Sequence, residues 1–300
     1  MPRGLVPALL ATLAASAESL VLRPVADTSL FAVNRGTNNL GASSTLVAGA
    51  NFKGEPGRAL LRFDVAGAIP ADAVVTRAVL SVAVTQEPQT GGVASDFTLH
   101  RMLASWSEGR GTGNLGLGAL PGEPTWTHRA FPGAAWAAPG SAPGAEHFAA
   151  PSATIRLAFP EKYTFPDSAE LRADIQHWLA APDRNFGWLL RSTAEGTPGT
   201  ARRIAARETP ADAPELEVEF IRVTRPAFGP VGRDGDALAI EFTVPAGNIY
   251  ALEALAGLGG TNWITVTNVA AKLADVPARV LEPLDQPQHF YRLADVADID

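Results

Sequence analysis

Short runs of alternating or apolar residues, separated by turn residues, recur along most of this chain. In and just beyond Val74–Val84, the residues Val79, Ser81, Ala83 and Thr85 fall on one side of an extended backbone, and Leu80, Val82 and Val84 on the other. A period of two predicts a strand with one face in a core. Similar runs at Ser19–Val25, Thr45–Ala48, Ala59–Val65, Phe97–Leu103, Ala153–Phe159, Trp188–Arg191 and Leu216–Val223 are read the same way. With little helical pattern between them, they predict an all-β, antiparallel sandwich. One segment breaks the rule. Leu171, Ile175, Trp178 and Leu179 recur at helical spacing behind Asp167-Ser168-Ala169-Glu170, and Pro182 follows. This predicts one short amphipathic helix over Ser168–Ala181, capped by the Asp167 carboxylate with Glu170 three residues on.

The strand pattern restarts after Pro230, at Ala237–Val244, Ile249–Ala254, Trp263–Val266 and His289–Leu293. It predicts a small second β-sandwich-like domain over residues 230–300, behind a larger one over 18–222. Charge supports the division: from Pro230 onward ten acids face four bases, a net of −6, which leaves only −1 of the total −7 on the preceding residues. No strongly basic domain exists, so a nucleic-acid partner is not expected.

The first 17 residues have a character of their own. Arg3 precedes an apolar run from Leu5 to Ala15, and Ala15-Ser16-Ala17 has the small-x-small form of an export cleavage site. The run falls short of the roughly 20 apolar residues a membrane span needs. Together these predict a signal peptide cleaved near Ala17 and a secreted, extracellular mature chain. No second apolar stretch is long enough for a span. There is no cysteine, so stability rests on packing or a metal ion rather than on disulfides.

Chemistry-bearing residues are scattered. Gly111-Thr112-Gly113-Asn114-Leu115-Gly116 matches a dinucleotide fingerprint but lacks a following helix, so a flexible loop is the better reading. It opens a stretch from Gly109 to Pro151 with little regular pattern, the kind of long loop that is often functional. No two of the five histidines have the spacing of a helical zinc site, and no G-x-S-x-G elbow occurs. Within or beside the loop, Trp106, Trp126 and Trp136 stand near Arg101, Arg110, His128 and Arg129. Aromatic faces pack on sugar rings, and arginine pairs with a uronate or sulfate, so these seven are candidate ligand-binding residues. The alternative is that the tryptophans are core anchors. A second arginine group, Arg191, Arg202, Arg203 and Arg207, has ion pairing with Glu195 or Glu208 as its simplest account. Asp27, Thr28, Asn34, Asn38, Asn39 and Asp64 are oxygen donors of the sort calcium takes, or else ordinary turn formers.

Several motifs in order carry a family resemblance: Val25-Ala26-Asp27-Thr28, Asn39-Leu40-Gly41, Leu46-Val47-Ala48-Gly49, Arg58-Ala59-Leu60-Leu61-Arg62-Phe63-Asp64, Ile69-Pro70-Ala71-Asp72-Ala73, Trp106-Ser107-Glu108-Gly109, Thr125-Trp126, Asn185-Phe186-Gly187-Trp188-Leu189-Leu190 and Ala201-Arg202-Arg203-Ile204-Ala205-Ala206-Arg207-Glu208. Over residues 20–221 they resemble the DNRLRE domain, an exported bacterial jelly-roll module related to carbohydrate-binding modules. The resemblance implies a β-jelly roll, an extracellular address, an acidic polysaccharide such as alginate or pectin as partner, and a structural calcium ion, here carried to Asp27, Asn39 and Asp64. The chain departs from the family at Gly144-Ala145-Glu146-His147-Phe148. The expected function is that of a secreted, non-catalytic carbohydrate-binding protein. A structural or adhesive surface protein is the alternative, and a polysaccharide lyase or hydrolase, drawn on His128 and Arg129, a second one.

Overall fold

The structure is a computed structural model and describes residues 17–89, 91–222, 226–245, 249–257, 261–271, 276–283 and 290–296. The export segment expected before Ala17 lies outside the described residues, as do Val223 and His289 at the ends of two expected strands. Two compact units are present, one of residues 17–221 and one of residues from 222 onward.

The first unit contains β1 (Glu18–Leu22), β2 (Pro24–Phe31), β3 (Asn38–Asn39), β4 (Thr45–Ala50), β5 (Pro56–Phe63), β6 (Ala73–Gln86) and β7 (Ser95–Arg101). The long loop contributes only the short pieces β8 (Leu117–Gly118), β9 (His128–Ala130) and β10 (Ala134–Ala135). Then follow β11 (Ala153–Leu157), β12 (Lys162–Phe165), β13 (Trp188–Ser192), β14 (Arg202–Ala205) and β15 (Glu215–Arg222). Hydrogen bonding runs in the order β1-β15-β6-β14-β4-β5-β13-β7-β11, with β12 also on β6 and β2 also on β5. The first strand thus pairs with the last, Glu18 opposite Phe220 and Leu22 opposite Leu216.

Strands far apart along that order share one core. Leu80, Val82 and Val84 of β6 and Leu216, Val218 and Phe220 of β15 join Leu61 and Phe63 of β5 and Leu99 of β7 in a single buried cluster. The antiparallel sheet therefore curls over itself into a sandwich, as the alternation in β6 predicts. The opposite face of β6 carries Ser81, whose hydroxyl meets Thr164 on β12 at 2.8 Å. One helical turn, α1 (Val65–Ala68), and one longer helix, α2 (Ala169–Ala180), complete the unit.

Helix α2 buries Leu171, Ile175, Trp178 and Leu179 into that core. The Trp178 and Trp188 rings meet edge to face at 4.5 Å. Its Gln176 side chain accepts from Val75 N–H and donates to the Ala73 carbonyl, continuing the hydrogen bonding of β6. The cap differs from expectation. Ser168, not Asp167, accepts from Leu171 N–H at 3.0 Å, while Asp167 is drawn away to Ala78 N–H and Arg172. Ser168 also donates to the Ser152 carbonyl. Ser168→Ala is accordingly expected to cost about 1–2 kcal/mol in urea unfolding; an unchanged midpoint would mean that this cap contributes nothing.

The second unit is smaller. β16 (Ala227–Asp234), β17 (Ala237–Val244) and β20 (Val276–Pro283) form one three-stranded sheet. β18 (Ile249–Leu255), β19 (Ile264–Ala270) and β21 (Phe290–Asp295) form another. Ile240, Phe242 and Val244 of the first sheet pack with Tyr250 and Leu252 of the second, which makes a small β-sandwich. Among the described residues no helix is long and apolar enough to cross a membrane.

Candidate functional site

Strand β7 ends at Arg101, where the sheet gives way to the long loop. The Arg101 guanidinium lies 4.3 Å from the centre of the Phe148 ring, and its Nε stands 3.1 Å from Asp174 Oδ1 on α2. Among the described residues the Arg101 side chain makes no hydrogen bond. Asp174 is held from behind: its Oδ2 accepts from Ser152 Oγ at 2.5 Å and from Trp188 Nε1 at 2.7 Å. Burial pushes the Asp174 carboxyl up, and those hydrogen bonds and Arg101 oppose the shift.

In front of Arg101 opens a cleft of about 340 Å³ with Leu103, Phe148, His177, Arg184 and Phe186 in its wall. His177 sits in the last turn of α2. Burial, followed by repulsion from Arg101, lowers its pKa. Arg184 is mostly exposed at the rim, 3.5 Å from Asp183. The cleft thus offers one cation held in place by Asp174 and a second, exposed one at its rim, beside apolar ring faces, a combination that suits an anionic group attached to a partly apolar body.

The other expected ligand residues lie elsewhere. Trp106 and Trp136 are buried, and their indole N–H groups donate to the carbonyls of Phe186 at 2.7 Å and Thr125 at 2.8 Å. Both join Leu30, Leu60 and Leu189 in a second core. Trp126 is half-buried, covered by Arg58 at 5.2 Å and so close to Gly36 and Gly140 that neither could carry a side chain unmoved. The Trp106 and Trp136 rings pin the long loop to this second core, and a buried indole with its donor satisfied is no platform for a sugar. His128 Nδ1 pairs with Thr127 Oγ1 at 2.9 Å, its ring edge on Phe131. Arg110 is exposed with Glu123 at 3.7 Å, and Arg129 is half-buried on β9. Of the seven, only Arg101 lines the cleft.

The expected calcium ligands do not come together either. Asn39 spends its amide on the carbonyls of Glu108 and Pro124 at 3.0 and 3.1 Å, and its Oδ1 accepts from both Gly41 and Gly111 N–H at 2.9 Å. No oxygen lone pair is left for a cation. Asp64 is exposed and caps α1 through Gly67 N–H. The glycine-rich segment 111–116 serves the same joint. A Cβ on Gly111 would lie 1.7 Å from the Asn39 carbonyl oxygen, and one on Gly116 2.2 Å from it. The glycines permit close packing against Asn39 rather than a free loop.

Asp27 stands instead with Glu108 and Glu208, a carboxylate oxygen of each within 4.8 Å of the others. Asp27 Oδ2 accepts from Arg207 N–H at 2.8 Å, and Asp27 N–H donates to Glu108 Oε1 at 2.9 Å. The Arg207 guanidinium grips Glu108 at 2.5 and 2.9 Å. Asp27 Oδ1 is buried with no hydrogen-bond partner. Burial above all raises this carboxyl to about 7; the Arg207 N–H opposes it, and the charges of Glu208 and Glu108 add to it. Glu108 and Glu208 both lie in motifs that carry the family resemblance, although nothing in their spacing announces that they meet. No protein-family model matches the chain, and no curated protein matches it.

Proposed function

We propose that this chain is an exported, non-catalytic binder of an acidic polysaccharide, built on a module of the DNRLRE type that its motifs resemble. Arg101 carries the reading: a guanidinium stacked on Phe148 and backed by Asp174, in the wall of an open cleft. A uronate has what this arrangement takes. Its carboxylate accepts charge-assisted hydrogen bonds from Arg101, each contributing about 1.5–3 kcal/mol. The apolar face of its ring lies against Phe148 or Phe186. Arg184, exposed at the rim, adds attraction that salt screens readily. Asp174 holds Arg101 in place, and no bond of the sugar breaks.

Affinity electrophoresis in gels holding alginate, pectin, a sulfated glycan or a neutral glucan tests this. Retardation is expected in one or more acidic gels, with loss at high salt and none in the neutral gel. Arg101→Gln should weaken binding about tenfold or more, and Arg184→Gln less. Trp136→Phe should lower stability without a comparable loss of affinity. Unaltered migration in every gel would overturn the reading in favour of a structural or adhesive surface protein, and release of unsaturated sugars from the gel polymer in favour of a lyase.

A further inference from the structure

We propose that Arg62 is a second anion-binding residue beside the Arg101 cleft, and that the two together select a linear polyuronate, with a carboxylate on successive sugars, over a single charged sugar. The proposal rests on the reading of the cleft as a uronate site and adds a residue that this reading does not use. The first observation is the state of Arg62 itself. It is half-buried on β5, and its guanidinium lies 5.3 Å from the centre of the Trp106 ring. Among the described residues its side chain has no hydrogen bond and no carboxylate partner. Four residues back on the same face of β5, Arg58 is by contrast gripped by Glu195 at 2.8 Å. Arg101 has Asp174 beside it, and Arg184 has Asp183. A partly desolvated cation without a counter-charge has the most to gain from an anion that arrives from outside.

The second observation is where the sheet sets it. Trp188 of β13 stands between Leu61 of β5 and Arg101 of β7. One residue earlier, Gly187 stands between Arg62 and Met102. Its carbonyl accepts from Met102 N–H at 2.8 Å, and a Cβ on it would lie 2.8 Å from the Arg62 Cα. Neighbouring strands lie about 5 Å apart, so the Arg62 and Met102 Cα atoms are about 10 Å apart. Side chains alternate, so Arg101 leaves the core face of the sheet and Arg62 the outer one. The cleft lies at the end of the sheet and draws on both faces. Met102 and Phe186, which pack on the outer cluster with Trp106, line it together with Arg101 and His177. Trp106 joins the two sides, donating to the Phe186 carbonyl at 2.7 Å while Arg62 rests on its ring. A single sugar ring is too small to serve both guanidinium groups. A chain of several sugars brings one carboxylate to each, and the second contact then acts at the raised effective concentration of a tethered group.

Calorimetric titration of the full chain at low salt, with oligogalacturonates and oligomannuronates of one to six units, tests this. In one series or both, wild-type affinity is expected to rise about tenfold or more between the shortest oligomer bound and the hexamer. Arg62→Gln should remove most of that rise, keep the affinity for the shortest oligomer within about twofold, and weaken the salt dependence of hexamer binding. Its melting temperature should stay within about 3 °C of wild type, because Arg62 holds no other group in place. Arg62→Lys, which keeps the charge but not the planar fork, should restore part of the rise. Arg101→Gln should weaken binding at every length. Equal gains with length in wild type and Arg62→Gln would overturn the proposal and leave the Arg101 cleft standing. Binding of no oligomer would overturn it too, and migration in the acidic gels then decides whether the reading of the cleft falls with it.

Discussion

Replacing Arg202 by methionine is expected to lower the unfolding free energy by about 3–5 kcal/mol in urea titration. Strand β14 points this side chain into the protein, where it is 1% exposed. Its Nε donates to the Ala158 carbonyl at 2.8 Å, its Nη2 to Val93 at 3.0 Å and its Nη1 to Ala201 at 2.8 Å, with Thr200 and Gly199 slightly farther off. Glu87 lies 3.9 Å away and supplies a distant counter-charge. The guanidinium is a common donor to the segments of Val93, Ala158 and Ala201. Methionine fills much of the volume but strands those carbonyls, and buried acceptors without donors are costly. Lysine should recover less than half, because one ammonium cannot span carbonyls spread around a planar fork. Arg203→Met is the control. Arg203 is half-buried and bonds Thr45 Oγ1 and the Asn114 carbonyl, each at 3.1 Å, so a loss under about 1 kcal/mol is expected there. If Arg202→Met stays within 1 kcal/mol of wild type, Arg202 is not the hub of these loops.

His147 should weaken the first unit in acid, against the opposite pull of Asp27, whose raised carboxyl keeps its proton in the folded state over much the same range. The His147 ring is fully buried, with Nδ1 on Ser141 Oγ at 2.8 Å and Nε2 without a partner. The His100 ring meets it at 5.3 Å. Burial first, then His100, Arg58 and Arg191, lower its pKa from 6.5 to about 3. The folded protein therefore keeps His147 neutral where the unfolded chain already takes up a proton. The contribution of His147 is whole above pH 6.5 and is lost as pH drops from there toward 3. At this residue the unfolded state binds more protons throughout that window, by about 1.4 kcal/mol for each pH unit. At pH 4.5 the loss from this residue alone is about 2–3 kcal/mol. His147→Gln keeps a polar partner for Ser141 and cannot take up a proton. The check is urea unfolding at several pH values. The variant should be less stable than wild type at pH 8 and lose less between pH 7 and pH 4.5. Parallel pH profiles for the two proteins would show that His147 does not drive the acid sensitivity.

The parts of the fold that were legible in the sequence are those where burial is one-sided. Leu80, Val82 and Val84 read as a core face because Ser81, Ala83 and Thr85 between and beside them are small or polar, and α2 reads as a helix because its four core residues recur at helical spacing. Strand β17 was legible over its full length, Ala237–Val244. Strand β16 was not: Ala227–Asp234 is exposed throughout and contains Gly229, Pro230 and Gly232, so no periodicity marks it. Strand β20 alternates, but Pro277 and Pro283 disguise it as a turn region. The candidate site fared worse, for a related reason. An arginine or tryptophan looks alike in sequence whether it serves a ligand or satisfies the protein. Only the indole donors of Trp106 and Trp136 on backbone carbonyls, and the place of Arg101 in the wall of an open cleft, tell them apart. Likewise Asp27 was separable from other turn acids only once Glu108 and Glu208 were seen beside it.

The pairing of the first strand with the last has a consequence for how this unit comes into being. Among the described residues β1 pairs only with β15, so the sheet cannot close while a ribosome still holds residue 222. Until then β1 has no strand to pair with, and the cluster around Asp27 lacks Glu208. Contacts so remote along the chain make folding slow. A ribosome stalled before β15 should therefore display a chain open to protease, and one stalled well past it a resistant unit.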